Sequence, residues 1–131
     1  FMSTGTRTGK LATVRADGRP HVVPVWFVMD GDDVIFMTQI DSVKGKNIHR
    51  DPRLAISVDE ETPPFSFVLI EGSATIMDVT YAEKLRWATQ IGGRYMGDAL
   101  AEVYGERNAH PSEMVVRVTP TKIVALKNLA D

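Results

Sequence analysis

The stretch KGKNIHRDPR, residues 44–53, gathers four Lys or Arg side chains and one histidine into ten positions of a chain whose net charge is −2. Charges placed this way suit a solvated helix face, a patch for nucleic acid, or a seat for an anionic cofactor. Thr38 closes a strand-like run just upstream, and Ser42 offers a hydroxyl ahead of Lys44 and Lys46. A strand end leading into a helix N-terminus presents free N–H groups and the positive end of the helix dipole, a combination that favours an anion. Lysine serves a phosphate as a point charge. Arg50 and Arg53 fall at the far end of the segment, where they equally well satisfy terminal carbonyls.

Other chemistries find less support. The chain has no cysteine, which excludes disulfides, thiolate metal sites and cysteine nucleophiles. His21, His49 and His110 lie far apart without the spacing of metal ligands. No serine sits in a nucleophile elbow. Gly92, Gly93 and Gly97 in GGRYMG follow a helical pattern rather than a strand, so they fit packing glycines at a helix break better than a phosphate loop. Asp59, Glu60 and Glu61 read as a solvated acidic loop. No acid/base pair stands out. If the protein is an enzyme, its chemistry belongs to a cofactor.

The elements that must position these groups are legible in outline. KLATVR (10–15) alternates with a period of two, and Asp17-Gly18 supplies a hairpin turn before HVVPVWFVM (21–29). Pro24 lacks an N–H, so that strand should have an edge or a bulge there. With VIFMT (34–38) these runs predict a three-stranded antiparallel meander. Ser42 caps a short helix that ends at Asp51-Pro52. RLAISV (53–58) and FSFVLIEGSATIM (65–77) follow as strands, with Gly72 as a bulge or bend. TYAE (80–83) is a capping box opening a helix, which Gly92-Gly93 should interrupt. Asp98 is a candidate cap for another short helix carrying Leu100, Val103 and Tyr104. MVVRVTPTKIVAL (114–126) is one long strand, or two bent at Pro120.

A chain of 131 residues, 44% hydrophobic, fits one domain with its own core. The pattern predicts an α+β, mainly β fold: six or seven antiparallel strands in a small, nearly closed barrel, with helices at its side. No apolar run is long enough for a membrane span. Met2 reads as the native start, preceded by Phe1, and the protein is expected to be soluble and cytoplasmic. The sequence pI near 5.9 argues against a general nucleic-acid binder.

LATVRADGRPHVVPVWFVMDGDDVIFMT, then SVKGKNIHRDPRLAISVD, then VLIEGSATI, with TPTKIVAL near the end, resembles the pyridoxamine-phosphate-oxidase-like split β-barrel superfamily. The match is strong over residues 10–77 and looser over 114–128. It is most similar to the branch that uses the deazaflavin coenzyme F420. That resemblance implies a six-stranded split barrel, a homodimer with cofactor at its interface, and no protein base at the reacting atom. It places the phosphate seat on Thr38, Ser42 and Lys44, with Asn47 in support. The wall for the tricyclic ring falls on Val22–Trp26, including Val23, Pro24 and Val25, with Arg19 and His21 near its start.

Relatives that use FMN carry an Arg beside the seat lysine and a basic residue on the preceding strand. Here Val43 stands at the first position and no basic residue follows His21, which favours F420 over FMN. Lys46, Arg50 or Arg19 would attract the anionic tail of F420. Tyr95 and Tyr104 are open between packing and a role as proton donor or substrate wall. The expected activity is hydride transfer from reduced F420 to an electron-poor, conjugated small molecule. The alternatives are an FMN-dependent oxidase or reductase, and a non-catalytic cofactor carrier. A barrel binding single-stranded nucleic acid would need Phe36 and Trp26 as stacking surfaces on the basic side.

Overall fold

A computed structural model describes residues 1–131. In chain order the elements are β1 (Gly9–Val14), β2 (Pro20–Val25), β3 (Phe27–Asp30), β4 (Asp33–Gln39), α1 (Val43–Arg50), β5 (Arg53–Glu60), β6 (Ser66–Ile76), α2 (Tyr81–Met96), α3 (Ala101–Asn108) and β7 (Glu113–Leu126). A single 3-10 turn, Asp98–Leu100, joins α2 to α3. The fold is α+β and mainly β, with all strand pairs antiparallel.

The strand order is β2-β1-β5-β6-β7-β4-β3. Its two edge strands, β2 and β3, are consecutive in the chain, separated only by Trp26. Laid flat, seven strands would hold their edges about 29 Å apart, at about 4.8 Å per spacing. Two Cα steps reach less than about 8 Å. The sheet therefore curls until its edges meet at Trp26, giving a half-barrel with a seam.

That seam corrects two expectations. Residues 21–29 are not one strand, and the first three strands are not a meander. The ladder breaks at Trp26, while the edge expected at Pro24 is present. Pro24 faces Lys10 within edge strand β2, where a missing donor is tolerated. Trp26 leaves the ladder because there the chain passes from one edge of the sheet to the other. As a result β1 finds its second partner in β5, and β4 in β7.

The core fills the inside of the curl. Leu11, Phe27, Phe36, Ile56, Val116 and Val118 are fully buried in one cluster. Val34 and Phe36 point inward, while Ile35 packs outward with Trp87 of α2 and Val115 of β7. Both faces of β4 are thus covered, which explains its unbroken apolar run. Gly72 is the expected irregularity, since the β6–β7 register shifts between Glu71 and Gly72. A Cβ at Gly72 would sit 2.7 Å from the Thr119 carbonyl oxygen.

The helices follow their caps. The Thr80 hydroxyl accepts from the Glu83 N–H at 3.2 Å and donates to the Glu83 carboxylate at 3.1 Å. Gly92 and Gly93 do not interrupt α2, which runs through both. They are the surface on which α3 lies: a Cβ at Gly92 would meet Tyr104 Cβ at 2.7 Å, and one at Gly93 would meet Ala101 Cβ at 3.2 Å. Asp98 makes no side-chain cap.

Candidate functional site

The basic segment forms α1. The Ser42 hydroxyl accepts from the Gly45 N–H at 3.0 Å and donates to the Gln39 carbonyl at 2.8 Å. It also meets the Thr38 hydroxyl at 2.9 Å, and Thr38 is only 3% exposed. Thr38 and Ser42 therefore couple the end of β4 to the start of α1. Gly45 allows the tight approach, since a Cβ there would fall 2.2 Å from the Gln39 carbonyl oxygen. Ile48 reaches the core, and the Asn47 amide donates to the Thr13 hydroxyl of β1 at 3.0 Å.

The cluster divides by role. Arg50 donates to the Val14 carbonyl and to Asn47. Arg53 pairs with Asp51 at 2.8 Å and holds that carboxyl down at about 2, chiefly through their hydrogen bond. These arginines lock the C-terminal end of α1. Lys44 and Lys46 take part in no salt bridge.

Lys44 lines a cavity of about 290 Å³ with Pro24, Val25 and Trp26 of the seam. Met37, Ala88, Ile91, Asn108 and Glu113 complete its wall. Strand alternation explains the placement of two of these. Met37 faces Val115, and Gln39 faces Glu113, so Met37 and Glu113 point away from the barrel interior toward α2. The volume is near the lower end for small-molecule pockets, and the wall mixes apolar residues with the polar side chains of Lys44, Asn108 and Glu113.

Trp26 stands in an aromatic box. Its ring stacks on Tyr95 with centroids 5.1 Å apart and planes 5° apart, and tilts against Tyr104 at 6.1 Å. The Tyr95 hydroxyl accepts from the Phe27 N–H at 3.2 Å and donates to the Arg7 carbonyl at 2.8 Å. Burial pushes its phenol up. With both hydrogen-bonding capacities engaged by backbone, Tyr95 reads as a pin for the seam. Beside it, Arg94 donates to the carbonyls of Met2, Gly5 and Phe27 at 2.6, 3.1 and 2.7 Å.

Of the residues expected to hold a cofactor, the structure brings Pro24, Val25, Trp26 and Lys44 onto one cavity. Ser42 and Thr38 are bonded to each other at the cap of the helix that carries Lys44. Val23 faces the barrel side of β2 opposite Leu11, and Asn47 is spent on Thr13. Arg19 is in the β1–β2 turn, paired with Asp17 at 2.8 Å. The Nδ1 atom of His21 is buried without a hydrogen-bond partner, opposite Thr13. Lys46 is exposed on α1. Sequence reasoning missed Glu113 and Asn108. Glu113 opens a strand of apolar alternation, and only its register against β4 reveals where it points.

Comparison with known proteins places this arrangement. Residues 3–127 match the family described as pyridoxamine 5'-phosphate oxidase. Over 124 residues the chain is 32% identical to a 5a,11a-dehydrotetracycline/5a,11a-dehydrooxytetracycline reductase of Streptomyces rimosus, covering 88% of this chain and 71% of that protein. Among solved structures, a conserved hypothetical protein of Mycobacterium tuberculosis superposes with a TM-score of 0.79 at 26% identity, covering 94% of this chain and 78% of the other. An F420 reductase superposes with a TM-score of 0.72 at 25% identity, covering 94% and 93%. Split-barrel topology, a cavity at the seam and a match across nearly the whole chain converge: this protein belongs to the pyridoxamine 5'-phosphate oxidase family.

Proposed function

We propose that the protein is an oxidoreductase that binds coenzyme F420 and reduces an electron-poor, conjugated small molecule. The observation that carries this is the cavity in which Lys44, at the start of a capped helix, faces the apolar seam Pro24–Trp26. When bound, F420 supplies a hydride. Lys44 would hold its phosphate, with Ser42 and Thr38 fixing the helix end. Pro24, Val25 and Trp26 would form the wall for its ring, and Lys46 would attract its acidic tail at salt-dependent strength. That wall would orient donor and acceptor, and closing over it would exclude water. A dehydrotetracycline reductase among the relatives supports a conjugated substrate, and an F420 reductase among the structural neighbours supports the cofactor.

Titration of the protein's intrinsic fluorescence with F420 and with FMN, at two salt concentrations, tests this. Micromolar, salt-sensitive binding of F420, with FMN weaker, is the expected outcome. Tighter binding of FMN would move the protein to the flavin branch; binding of neither would remove the cofactor assignment.

The cofactor site is completed, in this proposal, by a second copy of the chain. The outward face of the sheet carries Val22 at 61% exposed and Leu126 at 49%. These are the apolar side chains that a second copy would cover. Light scattering at micromolar concentration should give twice the chain mass of 14.5 kDa; a monomer would sink the shared site.

A further inference from the structure

Glu113 has no part in the family seat described above, yet it shares the cavity wall with Lys44. Its carboxylate enters no salt bridge. The groups facing it come from three elements: Lys44 of α1, Lys84 of α2, and His110 in the turn before β7. Lys84 is fixed there by donating to the His110 carbonyl at 3.2 Å, and the Glu113 N–H donates to the same carbonyl at 2.9 Å. Burial pushes the Glu113 carboxyl up, against the pull of Lys44, Lys84 and His110.

A carboxylate beside an anion seat is unfavourable for any anion, and more so for a more highly charged one. Two lysines and one carboxylate leave this corner with one net positive charge, matched to a single negative charge. The phosphate of F420 is a diester and carries one charge. That of FMN is a monoester and carries close to two at neutral pH. We infer that Glu113 is a specificity residue that sets the charge its seat accepts, admitting a phosphodiester such as that of F420 and disfavouring a phosphomonoester such as that of FMN. The inference rests on the proposed role of Lys44 and deepens it.

Between the two phosphates alone, the repulsion acts on each charge separately, so its removal should help the dianion about twice as much in free energy as the monoanion. In fold-change, the gain for FMN is then roughly the square of the gain for F420. Glu113→Gln should tighten F420 binding about threefold and FMN binding about tenfold, read by fluorescence quenching at pH 7.5 in low salt. Glu113→Asp keeps the charge and should keep the wild-type preference, which separates charge from shape. High salt should shrink the difference between the two ligands' responses.

An FMN-to-F420 affinity ratio unchanged in Glu113→Gln, with F420 still bound, overturns the role of Glu113 and leaves the seat standing. Loss of preference in Glu113→Asp as well would assign the effect to shape and overturn it too. Failure of the wild-type protein to bind either ligand overturns both the seat and this inference.

Discussion

Replacing Trp26 with alanine should cost about 3 kcal/mol of stability. Trp-to-Ala changes at fully buried sites cost about 3–5 kcal/mol. Trp26 is only half-buried, which lowers the packing loss toward about 2 kcal/mol, and its stacking on Tyr95 adds about 1 kcal/mol. The residue also holds the seam: it alone separates the two edge strands, and its neighbour Phe27 is tied to Tyr95 and Arg94. Urea denaturation reads the effect directly. Trp26→Phe should recover more than half of the loss, because it restores an aromatic face to Tyr95. A loss below about 1 kcal/mol would show that the backbone ladders hold the curl closed without the aromatic box.

Lys44→Ala should weaken F420 binding about 10- to 100-fold. A charge-assisted hydrogen bond contributes about 1.5–3 kcal/mol, and each 1.4 kcal/mol is tenfold in affinity. Partial exposure of Lys44 favours the lower end of that range. The variant should also lose much of the salt sensitivity of binding, whereas Lys44→Arg retains it. Folding should be little affected, since the α1 cap rests on Ser42 and Gly45 and its packing on Ile48. An affinity within twofold of wild type would move the phosphate elsewhere.

What the sequence revealed depended on how far each feature reaches along the chain. The Asp17-Gly18 turn, the Ser42 and Thr80 caps and the end of α1 at Asp51-Pro52 are local, decided within a few residues, and all are present. Gly72 was legible because a glycine in an apolar strand has few other uses. Where a distant partner decides, the pattern misleads. Gly92-Gly93 looks like a break until α3 is seen lying on it. HVVPVWFVM looks continuous because nothing in it shows that its two halves belong to opposite edges of the sheet. The candidate site divides the same way. Lys44 and Ser42 announce themselves as a helix start, and the wall Pro24–Trp26 came from the family resemblance. Glu113 is brought there by pairing with Gln39, from the other end of the chain.

That long-range pairing governs the order in which the molecule can be built. During synthesis the N-terminal half emerges first, and α1 with its cap can form early from contacts within a few residues. β4, however, waits for β7, and the seam cannot close until the C-terminal strand has left the ribosome and paired along both β6 and β4. Topologies rich in such distant pairings fold slowly and expose strand edges in the interval. A nascent chain would thus carry the basic segment but no pocket. Glu113, as the first residue of β7, reaches Gln39 only when that last strand docks, so the corner's full charge set is assembled in the closing step of folding.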